Sequence, residues 1–326
     1  MGNYNAVILV SQISDTYHNL AVEKLLMKRG QDCVYLYLWQ SKNAVVIGSN
    51  QNPFTECDLQ ATSKDEVQLA RRMTGGGAVY HDLGNLNFSF IQPKEIYSEK
   101  DNFEIIISAL KAFNINAEVS GRNDITVSGA KVSGNAFFKG KSACLHHGTL
   151  LISTDMQKFS SYLTPNALKL KKRGVKSVRS RVVNLSELNS KITTQSLTES
   201  LQKAFLSRYL GAKVLTVDEV INDNDLQAEI QILKSHEYLF GKWESNCEEK
   251  CKAFDWGMLS FSAKKNESER VIDLKVQTDC MYPLIAERVE RAFIGRELSS
   301  VSQLENCTGV ENEIYNQIIA FIKENI

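Results

Sequence analysis

Two arginines, three successive glycines and a His-Asp pair crowd into one short stretch, RRMTGGGAVYHD, running from Arg71 to Asp82. Ordered glycines cost backbone entropy, so a triplet implies an unusual turn or a close approach to the backbone. A run of bare amides can curl into a nest for a phosphate or a carboxylate. No Gly-Lys-Ser/Thr follows at phosphate-loop spacing, and no GxGxxG dinucleotide fingerprint is present. A plain glycine hairpin is the alternative reading. Arg71 and Arg72 upstream, and His81 and Asp82 downstream, weigh against it.

A second cluster is GRNDITVSGAKVSGNAFFKGKSACLHHGTLL, Gly121 to Leu151. Lys131 lies in an apolar-alternating stretch between glycines. It reads either as a solvated strand lysine or as an ammonium that binds an anion among small residues. Asn123-Asp124 reads as an Asx turn or as a pair that holds a metal ion or a sugar hydroxyl. His146 and His147 are adjacent, so on a strand they point to opposite faces and make a poor zinc pair. Three of the five histidines fall in these two clusters. Cys144 reads as a small apolar filler, the alternative being a thioester-forming nucleophile. Cys247 and Cys251 have no second pair and read as structural. The basic run KLKKRGVKSVRSRVVNL, Lys169 to Leu185, reads alone as solvated surface.

These residues need elements to carry them. The chain has 326 residues, enough for two domains. Hydrophobic residues make up 43% and charged residues 23%, an ordinary globular composition. Basic and acidic residues number 38 each, so no global field favours nucleic acid or a membrane surface. The N-terminal stretch predicts no secretory signal, no apolar run is long enough to cross a bilayer, and the seven cysteines make no disulfide framework. A reducing cytoplasm is expected. Apolar spacing predicts helices at Tyr17–Arg29, Asn102–Phe113, Asp155–Leu163 and Thr194–Leu210. CVYLYLWQ and NAVVIGSNQNP predict a buried strand pair, Ala78–Ile91 one or two strands, and Asp124–Ser153 glycine-broken hairpins. Strands and helices do not alternate strictly, so a mixed α+β sheet is expected over a doubly wound parallel one. After a polar helical stretch at Asp218–Ser235, a small α+β unit is expected from about residue 247. It has strands at Phe254–Phe261 and Arg270–Gln277, and helices at Pro283–Ala292, Ser299–Glu305 and Glu311–Ile326.

RRMTGGGAVYHDLGNLNFSF, GRNDITVSGAKVSGNAFF, HHGTLL and GVKSVRSRVVNL, in that order, resemble the lipoate–protein ligase A family over nearly the whole chain. The resemblance implies a biotin/lipoate ligase fold, related to the class II aminoacyl-tRNA synthetase core, over residues 1–246, and a small α+β C-terminal domain over 247–326. It implies a two-step reaction. ATP and Mg²⁺ convert free lipoate to lipoyl-AMP, and a lysine of an acceptor domain then takes the lipoyl group. The acceptors implied are 2-oxoacid dehydrogenase E2 subunits and the glycine cleavage H protein. By the same resemblance, lipoate contacts fall at Trp39, Arg72, Thr74, Gly75, Gly76, Gly77, His81, Lys131 and His147, with Val45 a further apolar wall. ATP contacts fall at Arg72, Gly77, Ala78, Val79, Tyr80, Asn123, Asp124, Lys131, Ser133, Gly134, Thr149, Ser177, Val178 and Arg179. Lys131 is the implied catalytic group and Asp124 the implied Mg²⁺ ligand; Ser177–Arg181 matches a loop that closes over the adenylate. A lipoyl or octanoyl transferase on the same fold would need no ATP, and a non-catalytic lipoate- or adenylate-binding protein would need no Lys131. A biotin ligase would carry a GRGRxGR-like loop, which is absent. A monomer is expected.

Overall fold

The computed structural model describes residues 4–121, 123–164, 182–244, 249–301 and 309–326. Its strands are β1 (Asn5–Val10), β2 (Cys33–Trp39), β3 (Ala44–Ile47), β4 (Gln68–Arg71), β5 (Val79–His81), β6 (Asn85–Pro93), β7 (Ala117–Ser120), β8 (Asp124–Val127), β9 (Ala130–Lys139), β10 (Ala143–Leu151), β11 (Lys213–Leu215), β12 (Lys250–Phe254), β13 (Gly257–Lys265) and β14 (Val271–Thr278).

Eight of them form one sheet in the order β11-β1-β2-β6-β10-β9-β8-β7. The β1 pairings are parallel and the rest antiparallel, so the sheet is mixed, as expected. One face packs on helix Thr16–Arg29 and helix Asp223–Lys234. The other packs on helix Glu99–Lys111 and helix Thr194–Arg208. Strand alternation splits the side chains between these layers. Tyr37 and Trp39 go to the first, and Leu36, Leu38, Phe88 and Phe90 to the second.

The helix that begins at Thr16 starts where Asp15 accepts the amide of His18 at 2.8 Å, an N-cap that satisfies an end donor. It stops at Gly30, where a Cβ would stand 2.5 Å from Ile91 Cγ2 and 2.9 Å from Ala143 Cβ.

The two strands expected to pair do not. β2 lies in the large sheet, whereas β3 joins β4 in parallel and β5 antiparallel in a separate three-stranded sheet. Both are buried apolar runs, and periodicity alone does not say which neighbour a strand takes. β1, β4, β7 and β11 escaped the sequence reading. The strand expected over Phe254–Phe261 is interrupted: Asp255 and Trp256 form the turn between β12 and β13. Gly257 has φ +153°, and the amide of Met258 donates to Asp279 Oδ1 at 2.6 Å, which anchors the turn.

Strands β12, β13 and β14 form a third, antiparallel sheet. With helix Ile285–Phe293 and helix Val310–Asn325 it encloses its own core around Phe261, Val276, Phe293 and Ile318. Most of the helix expected at Ser299–Glu305 lies outside the described residues. Among the described residues, no helix is long and apolar enough to cross a membrane.

Candidate active site

The glycine loop joins β4 to β5, and Arg72 shapes it from inside. Its guanidinium is buried and donates to the carbonyls of Val46 (3.0 Å), Gly75 (2.7 and 3.2 Å) and Gly77 (2.8 Å) and to Thr74 Oγ1 (3.0 Å). The expected open nest of amides is therefore partly turned inside out: carbonyls face the arginine. The amide of Gly76 donates to the carbonyl of Cys280 at 3.1 Å. Burial pushes the Arg72 guanidinium down to about 10, and the charge of Glu23 opposes that shift. Arg71 plays a different part. It donates to the carbonyls of Gly48, Ser49, Gln51, Tyr238 and Leu239, so it ties the loop after β3 to the helix His236–Phe240.

A hydrogen-bonded chain runs from this loop into the sheet. Thr74 Oγ1 lies 2.8 Å from His147 Nε2, and His147 Nδ1 lies 2.8 Å from Glu23 Oε2. Ser89 donates to the same carboxylate oxygen at 2.6 Å, and Trp39 Nε1 donates to Ser89 Oγ at 3.2 Å. A carboxylate only accepts, so Nδ1 of His147 carries a proton and, in the neutral ring, Nε2 accepts from Thr74. Glu23 thereby sets the tautomer of a histidine 124 residues further along the chain. The Glu23 side chain is only 1% exposed.

His81 sits beside this chain. Its ring meets Trp39 edge-on at 6.1 Å, it is buried, and neither ring nitrogen has a hydrogen-bond partner among the described residues. Burial, with the charges of Arg72 and His147, drives its imidazole down to about 3. It is a neutral ring with a free donor and a free acceptor beside the glycine loop.

Lys131 lies on the same face of the sheet. A Cβ on Gly134 would stand 2.9 Å from Lys131 Nζ and 4.0 Å from Thr149 Oγ1, so the glycine leaves the space the lysine fills. Thr149 and His147 are two apart on β10 and share that face. The ammonium pairs with Asp124 at 2.7 Å, and both side chains are about one-third exposed, at 35% and 36%. Asn123 donates to the carbonyl of Asn135 at 2.6 Å and approaches Met281 Sδ at 3.8 Å. The same sulfur would lie 3.4 Å from a Cβ at Gly76. Met281 therefore stands between the glycine loop and Asn123.

The structure thus gathers Trp39, Arg72, Thr74, His81 and His147 around one buried network, and Asp124, Lys131, Gly134 and Thr149 beside it. Other residues go elsewhere. Tyr80 and Val45 face each other across β3 and β5, in a separate small core with Tyr162. Tyr80 donates to Asn43 Oδ1 at 2.9 Å. Ser133 is buried and accepts from Asn135. Ala78 and Val79 are half-buried. Cys144 is buried, and burial raises its thiol. Ser177, Val178, Arg179 and Cys247 lie outside the described residues. Among the described residues, no group of three or more His, Cys, Asp or Glu could hold a metal ion on its own. Sequence reasoning missed Glu23, Ser89, Asn135 and Met281. Only Glu23 left a trace, as a carboxylate among Leu20, Ala21, Val22, Leu25 and Leu26 on an otherwise apolar helix.

The family described as Lipoyl protein ligase A/B catalytic domain matches residues 15–206. A lipoate-protein ligase A of Bdellovibrio bacteriovorus is 37% identical over 89% of this chain and 87% of its own. The crystal structure of P. falciparum LipL1 in complex with lipoate is 29% identical and covers 98% of this chain and 100% of its own, with a TM-score of 0.86. A bi-partite lipoate protein ligase from Thermoplasma acidophilum, described with its E2 lipoyl domain, is 25% identical over 74% of this chain and 98% of its own, with a TM-score of 0.63. The match begins at the N-cap of the helix that carries Glu23, spans the whole network just described, and is joined by relatives that align along most of the chain. The chain therefore belongs to the lipoate–protein ligase A family and is a ligase.

Proposed function

We propose that the enzyme activates free lipoate with ATP and passes the lipoyl group to a lysine of lipoyl domains, those of 2-oxoacid dehydrogenase E2 subunits and the glycine cleavage H protein. The observation that carries this reading is the placement of Lys131 Nζ, over Gly134 and paired with Asp124, on the sheet face that also carries His147. A carboxylate and a triphosphate repel each other, and a fixed ammonium between them offsets that repulsion.

In the first half-reaction a lipoate carboxylate oxygen attacks the α-phosphorus. The bond to the bridging oxygen breaks, and pyrophosphate leaves. Lys131 binds the carboxylate and then the charge that builds on the phosphoryl oxygens. It forms no covalent bond. The buried side chains of Trp39, His81 and His147 receive the acyl chain, which has few polar handles. Of the three glycines, Gly77 leaves open space in which the acyl chain can lie against main chain, whereas Gly75 and Gly76 are covered by Cys280, Met281 and Arg72. Asn123, Gly134, Thr149 and the run Gly77-Ala78-Val79-Tyr80 flank the nucleotide, the last two through their backbone, and the buried Ser133 supports them from beneath through Asn135. Asp124 is a single part-exposed carboxylate, which suits Mg²⁺, a cation that keeps waters and takes other ligands from phosphates. When bound, that ion screens the triphosphate charge. In the second half-reaction the acceptor amine attacks the acyl carbon, the carbon–oxygen bond to AMP breaks, and one proton is released.

The resemblance alone assigns Ser177, Val178 and Arg179 to closure over the adenylate. We divide the chain into a catalytic domain, 1–246, and an accessory domain, 247–326, and infer a cytoplasmic monomer. The buried Cys144 thiol, raised by its surroundings, weighs against a thioester transferase. The deciding experiment is lipoate-dependent ATP–pyrophosphate exchange, with Lys131→Ala as control. Exchange that needs lipoate and vanishes in the variant supports the reading. Acyl transfer without exchange would replace it with a transferase.

A further inference from the structure

The sheet face opposite this network carries a histidine that this chemistry does not use. His146 neighbours His147 on β10 and so points the other way, into the apolar layer. It is fully buried among four phenylalanine rings. Phe103 and Phe137 lie at 4.7 Å, Phe88 at 5.6 Å and Phe90 at 5.9 Å between centroids. Burial drives the imidazole down to about 3, so it is neutral and carries one N–H.

Its partner decides which nitrogen holds that proton. Asn135 turns its amide nitrogen to two acceptors, the carbonyl of Asn123 at 2.9 Å and Ser133 Oγ at 3.2 Å. Its Oδ1 is then the atom that faces His146 Nε2 at 2.9 Å, and a carbonyl oxygen only accepts. The proton is on Nε2, and Nδ1 has no partner among the described residues. An unpaired buried acceptor is costly. A phenylalanine would fill the space but would leave the buried Asn135 Oδ1 without its donor. What imidazole adds is one N–H that keeps the Asn135 amide from turning over.

Asn135 transmits this constraint to the site. Its amide N–H donates to the Asn123 carbonyl at 2.9 Å, and its own carbonyl accepts Asn123 Nδ2 at 2.6 Å. With the side-chain bond already described, the Asn123 peptide oxygen is gripped twice. The next residue, Asp124, holds Lys131.

We propose that His146 is a positioning residue: through Asn135 it fixes the Asn123-Asp124 turn, and hence the Asp124–Lys131 pair, for the nucleotide half-reaction. The proposal rests on the ATP-dependent reading above. His146 itself touches no substrate.

The test compares His146→Phe, which keeps the packing, with His146→Gln, which keeps an N–H near the Nε2 position. In lipoate-dependent pyrophosphate exchange, His146→Phe is expected to raise KM for ATP about tenfold, as loss of an outer hydrogen bond to a site ligand does. KM for lipoate should rise less than KM for ATP, and His146→Gln, which can still donate to Asn135 Oδ1, should recover most of the loss. Amide hydrogen exchange of the segment 120–128 should quicken in the phenylalanine variant and slow again in the glutamine one. Wild-type KM for ATP in His146→Phe would overturn the proposal. So would an equal rise in both KM values that His146→Gln does not reverse, which marks packing alone. If the unmodified enzyme shows no lipoate-dependent pyrophosphate exchange, the ATP reading fails, and hydrogen exchange still decides the positioning role: unchanged rates at 120–128 overturn it.

Discussion

Alanine at Gly75 and at Gly77, two residues apart, should have opposite consequences. A methyl at position 75 would lie 2.2 Å from the Cys280 carbonyl oxygen, 2.8 Å from the Met281 carbonyl carbon and 3.0 Å from its Cα. All three are main-chain atoms, so no rotamer change relieves them. Comfortable contact needs about 3.5 Å, so the segment at Cys280-Met281 must retreat by about 1 Å. That retreat breaks the 3.1 Å bond from the Gly76 amide to Cys280. Overpacking costs about 1–3 kcal/mol and the lost hydrogen bond about 1 kcal/mol. A loss of about 2–4 kcal/mol is therefore expected for Gly75→Ala. A methyl at position 77 meets nothing within 4 Å, and the backbone there is not left-handed. Stability should hold or rise by about 0.5 kcal/mol, because alanine restricts the unfolded chain. Under the proposed function, that open space takes ligand. Gly77→Ala should then raise KM for lipoate or ATP about tenfold or more, the kinetic counterpart of overpacking. Urea unfolding followed by tryptophan fluorescence, with steady-state exchange on the same preparations, separates the two effects. A Gly75→Ala protein as stable as its parent would refute the seating of Cys280 on the loop. Parental kinetics in Gly77→Ala would refute the ligand contact.

Two further perturbations probe the buried network. Glu23→Gln can keep both hydrogen bonds at its oxygen but removes the charge that offsets Arg72. Glu23→Leu also orphans His147 Nδ1 and Ser89 Oγ, so it should cost about 3 kcal/mol or more, and clearly more than glutamine. Denaturant midpoints for the pair check the order, and equal stabilities would mean that the hydrogen bonds contribute nothing. His81 and His146 have folded values near 3, below an unfolded value of about 6.5. The unfolded chain therefore binds more protons as pH falls. The stability is complete above about pH 6.5 and declines below it, by about 1.4 kcal/mol per pH unit for each ring. Together they should remove about 4 kcal/mol by pH 5. Unfolding at pH 7.5 and 5 measures this, and His146→Phe should remove about half of the loss. A flat profile would show that the rings protonate within the fold.

How much of this was legible beforehand depended on range. The helix at Thr16–Arg29 has its cap, its apolar spacing and its terminal glycine within the stretch itself. The opposed directions of His146 and His147 follow from the two-residue period of a strand, and the structure sends one to Glu23 and the other to four phenylalanines. The glycine triplet, the lysine among small residues and the Asn-Asp turn announced a site because such residue types are poor core material. Pairing was not legible in the same way. β2 and β3 look alike as strings, yet they join different sheets, because a buried apolar strand fits any buried apolar edge.

What the amino-acid order determined alone was therefore the longer helices and most of the longer strands, the mixed class of the fold and the chemical character of the two clusters. Each of these depends on interactions within a few residues. Tertiary structure decided the rest: that Arg72 turns the glycine loop's carbonyls inward, that Glu23 sets a proton on His147, and that Met281 reaches over from the far end of the chain. The first depends on burying a guanidinium three to five residues from the carbonyls it meets; the other two join residues 124 and 158 positions apart. Local spacing carries no information about them, because hydrogen bonds and burial depend on distance in space and not along the backbone.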